Sequence, residues 1–351
     1  MKTFTKEHSQ MVKGVAIMLM LVYHLFHDIN VLVDMRVSYA PFSQAGFLRF
    51  AGFGNICVAI FVMLTAYGLS KSIFVDDEKP IKEIYAASVR RFEKLLHKFA
   101  IVYVAISAFF YSSLDYILLY GEGKQGLLMM FCDAMGFASI LKTPTVNETW
   151  WYMKIAYILI FLIPAMAWVA KKTGKAFLLL AFFAPFVLVF DGDVERYFYV
   201  AAFGVAAAAG NWFEKVISLK IHPIFWWIGA AVGGYFSVLI RQNALVREMF
   251  WNYLDAIIAF FIICAVVMTV GRVPVLNKIL GFIGKHSMNI FLVHTIFYMV
   301  AWRKYIYYFE NALATFFILL TVSLLFSVVL EFLIENICKF TKFLQKKVKK
   351  Y

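Results

Sequence analysis

Apolar runs as long as a bilayer is thick recur along this chain, and they constrain its fold class more than any other feature. The first run, KGVAIMLMLVYHLFHD over Lys13–Asp28, sets the pattern. A membrane-crossing helix needs roughly 20 predominantly apolar residues. Segments of that kind can be drawn near 11–29, 46–70, 97–119, 150–170, 175–191, 197–213, 224–240, 251–271, 287–305 and 312–336. In lipid, only helices or closed barrels satisfy every backbone N–H and C=O, and no alternating barrel pattern is visible. The expected fold is therefore all-α: a polytopic membrane protein of about ten transmembrane helices, built as one domain over residues 1–351.

The make-up agrees, because 63% hydrophobic and 16% charged residues are not a soluble globular composition. A formal charge of +13 would suit nucleic acid in a soluble protein. Here the Lys and Arg gather in alternate connections, most densely in Lys71–Lys98 and Lys339–Lys350. The positive-inside rule turns that bias into a topology with both termini cytoplasmic in a multi-pass cell membrane protein. The charge thus faces anionic membrane lipids, and no nucleic-acid partner is expected. Cys57, Cys132, Cys264 and Cys338 are far apart, with neither metal-ligand spacing nor a disulfide framework, so no metal is expected. A basic start before an apolar run also fits a signal peptide, but His24 interrupts the run and no small-residue cleavage site follows.

Ionisable residues inside a span are costly and mark sites by default. Lys13 and His24 are eleven residues apart in the first run, so they share a helix face, roughly 16 Å apart along the axis. Asp28, four residues beyond His24, falls on the same face, where a carboxylate orients an imidazole. An interfacial histidine with a snorkelling lysine accounts for the same pattern. In the second run, Leu64-Thr65-Ala66-Tyr67 offers a hydroxyl, a small residue and an aromatic, which also reads as a close-packing device. Arg90, Arg91 and Lys94 lie within one helical turn at the inner mouth of the third run. Such a cluster suits an anion bearing several phosphates, and equally an anionic lipid surface.

Trp150-Trp151 opens the fourth run as an outer aromatic belt, with Lys154 one turn inside and Pro164 further on. The intervening stretch Gly126–Ile140 is apolar but too short to span, is split by Asp133, and reads as an interfacial or re-entrant outer segment. Ser287 and His294, seven residues apart in GKHSMNIFLVH, share a face at the ninth run.

These stretches, taken in order, resemble the integral-membrane acyltransferases known as acyltransferase type three. The resemblance rests on Lys13 and His24, on Leu64-Thr65-Ala66-Tyr67, on Arg91 with Lys94, on Trp151 to Pro164, and on Gly284-Lys285-His286-Ser287-Met288-Asn289-Ile290. Lysine stands at Lys13 and Lys94 where arginine is common, and Ala156 stands where many members carry a glutamate. The resemblance implies an O-acetyltransferase that moves acetyl from cytoplasmic acetyl-CoA to a hydroxyl of a surface polysaccharide, lipid-linked sugar or wall polymer. His24 with Asp28 would then supply base or acyl-carrier chemistry, and Lys13, Arg90, Arg91 and Lys94 would hold the donor. Thr65, Tyr67, Trp151, Lys154, Ser287 and His294 are further candidates. The rival reading is a secondary transporter or flippase using its intramembrane His and Lys.

Overall fold

A computed structural model describes residues 3–27, 32, 35–75, 80–188, 192–219, 221–242 and 244–348. The chain is 85% helical, and no strand occurs among the described residues. In order, the helices are α1 (Lys6–Phe26), α2 (Gln44–Phe53), α3 (Cys57–Phe74), α4 (Ile81–Phe109), α5 (Tyr116–Tyr120) and α6 (Gly123–Ala134). Then come α7 (Ala138–Leu141), α8 (Tyr152–Thr173), α9 (Phe177–Val187), α10 (Gly192–Ala209), α11 (Trp212–Ser218) and α12 (Ile224–Gln242). The last are α13 (Ala244–Met268), α14 (Pro274–Lys285), α15 (Ser287–Thr295), α16 (Arg303–Ile306) and α17 (Ala312–Val348).

Among the described residues, five segments are long and apolar enough to cross a membrane: Lys6–Phe26, Gln44–Phe74, Glu148–Pro185, Tyr253–Arg272 and Ala312–Ile337. Ile224–Phe236 and Ser287–Ala301 are shorter apolar helices. The ten runs marked in the sequence fall largely on helix: the third is interrupted over 110–115 and the sixth at 210–211, and the ends of the first and fifth lie outside the described residues. The charged segment before the third run is helical, as the one-turn grouping of its cations implies: α4 begins at Ile81 and continues unbroken through Arg90, Arg91 and Lys94. Ile84 and Ser88, one turn apart, are buried there, so the extension has a packed face as well as a charged one.

The chain forms two compact units. The first comprises Met1–His27, Ala45–Phe92 and Ile155–Lys285. Helix α1 starts on a capping box: Thr5 Oγ1 accepts the His8 N–H at 3.2 Å, and His8 Nδ1 accepts the Thr5 N–H at 3.2 Å. Its apolar face, including Met11, Ala16, Ile17, Leu21 and Leu25, is fully buried. Two glycines let α1 and α14 approach backbone to backbone. A Cβ on Gly14 would stand 2.1 Å from the Leu280 carbonyl oxygen, and one on Gly284 would stand 1.8 Å from that of Gln10. No side chain fits at either position, which is how small residues seat one apolar helix on another where lipid gives no hydrophobic drive.

The second unit comprises Asp28–Gln44, Glu93–Lys154 and His286–Tyr351. Helix α17 packs on α15 and carries a polar stripe, with Thr315, Ser323 and Ser327 all fully buried at multiples of four residues. Helix α15 passes into a π-helical stretch over Ile296–Ala301. The α5–α7 connection, over residues 116–141, is a set of short helices. Asp133 anchors it by accepting the Tyr120 hydroxyl at 2.6 Å and the Val146 N–H at 2.8 Å.

Candidate active site

In the first unit, α1 fixes Lys13 and His24. The glycine contact holds Gly14 against α14, so the neighbouring Lys13 is pinned along with it. Both Lys13 and His24 are half-buried, while Val12 and Gly14 beside the one and Leu25 beside the other are buried. Aromatic rings set the His24 environment. Tyr23 meets it edge-on at 5.2 Å between centroids and stacks on His27 at 4.6 Å. Asp28, the expected orienting carboxylate, lies outside the described residues.

The Thr65–Tyr67 motif ends in a polar latch. Tyr67 is buried and its hydroxyl donates to Glu214 Oε1 at 2.6 Å. Lys71 reaches the same oxygen at 2.8 Å and also donates to Asn211 Oδ1. Phe4 packs on both Tyr67 and Phe213, at 5.2 and 4.8 Å between centroids. Burial alone would raise the Glu214 carboxyl, but the Lys71 and Tyr67 hydrogen bonds outweigh it and hold the group below the usual glutamate range. Thr65 is half-buried two residues earlier. Tyr67 therefore fastens the ends of three elements together.

Arg90, Arg91 and Lys94 follow one another along α4. Arg90 and Lys94 are exposed and Arg91 is half-buried, so one turn presents three cations. None of the three is ion-paired among the described residues.

In the second unit, Trp150 donates its Nε1–H to the Leu292 carbonyl at 3.0 Å, and Asn147 Nδ2 donates to that oxygen at 3.3 Å. These bonds tie the start of α8 to α15. Trp151 and Lys154 are half-buried next to that tie. Ser287 is buried and His294 is fully enclosed. His294 Nδ1 lies 2.8 Å from the Phe291 carbonyl of its own helix, which fixes the proton on that nitrogen. Below it runs a seam of polar groups. His286 Nδ1 meets Ser327 Oγ at 2.9 Å, and Asn289 Nδ2 donates to Glu331 Oε2 at 3.0 Å. Lys98 pairs with that same oxygen at 3.1 Å. Burial pushes the Asp133 carboxyl up, with Tyr120, Val146 and the nearby Thr145 hydroxyl only partly opposing it.

The sequence reading passed over three acidic residues that the structure makes central to these networks. Glu214 is the latch acceptor and Glu331 joins the seam. Asp255, 1% exposed, pairs with Arg196 at 3.2 Å. Two of them carried a usable signal. Asp255 and Glu331 are carboxylates inside apolar runs, and a carboxylate there requires a partner.

A family model of the acyltransferase 3 type, described as an acyltransferase domain, aligns with residues 10–332. No curated protein and no solved structure matches the chain.

Proposed function

The chain belongs to the acyltransferase 3 family and is a membrane acyltransferase; from that premise we propose that it transfers acetyl from cytoplasmic acetyl-CoA to a hydroxyl of a cell-surface polysaccharide, lipid-linked sugar or wall polymer. The family match runs through residues of both compact units, which favours a single acyltransferase domain. The observation that carries the reading is the setting of His24, an imidazole left half-buried on a helix seated too tightly to be a passive packing element.

In this reading a neutral His24 accepts the proton of the acceptor hydroxyl as its oxygen attacks the thioester carbonyl. The C–S bond breaks, and the imidazolium returns the proton to the departing thiolate, so protons and electrons balance. Asp28 orients the ring. Lys13, nearer the cytoplasm, contacts the donor, and Arg90, Arg91 and Lys94 pair with its phosphates. Thr65 and Tyr67 with Trp151, Lys154, Ser287 and His294 shape the surroundings.

The orientation that this chemistry needs is ten spans in a cell membrane with both termini cytoplasmic. Two features support it. The basic connections alternate along the chain. Within the first unit, Phe4, Tyr67 and Phe213 also meet at one end, and the topology assigns all three to the inner side.

The test is acetyl transfer from labelled acetyl-CoA by native membranes, together with acetyl esters counted on surface glycans with and without the gene. Label should reach a surface glycan only when the gene is present. Identical glycan acetylation in both strains, with the protein expressed in one, would sink the reading.

A further inference from the structure

The loop region of the second unit carries a half-open cavity of about 180 Å³, of whose lining the mechanism above uses only Trp151. Asp133, Lys142, Thr143, Glu148, Trp150 and Trp151 line it. Asp133 is 1% exposed, and its Oδ2 is engaged by Tyr120 and Val146. Its other oxygen, Oδ1, has no hydrogen-bond partner among the described residues, and neither has the buried Thr143 Oγ1. A buried polar atom left unpaired costs about 1–3 kcal/mol, so native proteins keep few of them and each calls for an explanation. Two in the wall of one cavity are explained together by a ligand that brings its own hydroxyls.

Size and wall chemistry narrow the ligand. Pockets that hold drug-sized ligands run to roughly 300–1,000 Å³, so one of about 180 Å³ is too small for a nucleotide or coenzyme A. The remaining room suits one six-membered ring. Trp150 is fixed by its bond to Leu292, and Trp151 beside it adds a second indole to the wall. An indole offers a broad apolar surface next to polar oxygens. A pyranose ring has the matching pair of surfaces, an apolar C–H face and a rim of hydroxyls that both donate and accept. A lipid chain would leave both oxygens unpaired.

The geometry points to this cavity as a binding subsite for one sugar ring of the acyl acceptor, held by hydroxyl contacts to Asp133 and Thr143 and by its C–H face on Trp151. The word acceptor rests on the acyltransferase reading above; carbohydrate binding itself does not.

The experiment titrates the full-length, detergent-purified protein with maltotetraose, cellotetraose and chitotetraose by calorimetry. At least one should bind saturably. Trp151→Ala and Thr143→Val should each weaken it by about threefold to tenfold, the cost of an aromatic or a neutral hydrogen-bonding contact. Thr143→Val leaves the Tyr120–Asp133 bond in place, so it tests ligand contact without loosening the loop. Gly281→Ala, whose added methyl meets nothing within 4 Å, should bind the saccharide as wild type does. Failure of all three saccharides to bind, or unchanged affinity in both cavity variants, overturns the subsite. If acetyl transfer persists while no saccharide binds, the subsite alone falls. If saccharide binds but wild-type protein moves no acetyl, the acyltransferase reading falls and a carbohydrate site remains.

Discussion

His24 and His294 both sit inside apolar helices, yet their surroundings differ. His294 is fully enclosed, and its Nδ1–H is committed to a carbonyl of its own helix. His24 is half-buried among aromatic edges on a helix that two glycines lock in place. A base must be reached by the group it deprotonates, so access separates the two histidines more sharply than burial in a span does. The same contrast holds for cations. Lys98 is already engaged by Glu331, whereas Arg91, on the same helix, has no ion pair among the described residues.

The contrast breaks first at the histidines. His24→Gln keeps hydrogen bonding but loses useful basicity, and a missing general base costs about 10²–10⁴ in rate. His294→Gln should lose far less acetyl transfer from labelled acetyl-CoA in membranes. Equal losses in the two variants at matched expression would erase the distinction.

Next in size is the seat of α1. Gly14→Ala drives a methyl to within 2.1 Å of the Leu280 carbonyl oxygen, and only a backbone shift relieves it. Overpacking of this kind typically costs about 1–3 kcal/mol. Thermal unfolding in detergent should show a lower midpoint, and acetyl transfer should fall with it because Lys13 moves too. Gly281→Ala is the matched control, since nothing lies within 4 Å of its would-be Cβ. A Gly14→Ala protein as stable and active as that control would mean that α1 is not held where we place it.

The cations follow. Arg91→Ala should weaken acetyl-CoA binding about tenfold, since a hydrogen bond to a charged group contributes roughly 1.5–3 kcal/mol. Lys98→Ala should leave that affinity within about twofold and instead lower the unfolding midpoint, by releasing Glu331. Weaker binding in Lys98→Ala than in Arg91→Ala would transfer the donor role to the seam.

The smallest effect is a pH dependence. Glu214 has its carboxyl held below the ordinary range in the folded protein, so it adds stability above the unfolded-state pKa. That contribution is lost as pH falls through the lowered folded value. In Tyr67→Phe, which removes one of the two bonds holding it, the acid loss should set in at higher pH. Coincident acid unfolding curves for wild type and Tyr67→Phe would show that the latch does not stabilise the fold.

Much of this protein follows from sequence because lipid permits so few answers. Long apolar runs had to be helices, since nothing else in a bilayer satisfies the backbone, and a lysine and a histidine eleven residues apart in one run had to share a face. The order of the motifs was likewise readable, and the family match covers nearly all of the chain. Partners were not readable, because periodicity gives the face of a helix but not what lies against it. Tyr67 read as a packing aromatic, and only the fold brought Glu214, 147 residues away, to its hydroxyl. Gly14 and Gly284 were unremarkable singly; their meaning lies in a backbone contact that joins opposite ends of the first unit. Asp133 looked like an interruption in an apolar stretch, and tertiary structure made it the anchor of a loop with one oxygen to spare. Sequence determined which segments are apolar enough to enter a membrane. Long-range packing alone decided which of their polar groups the protein satisfies for itself.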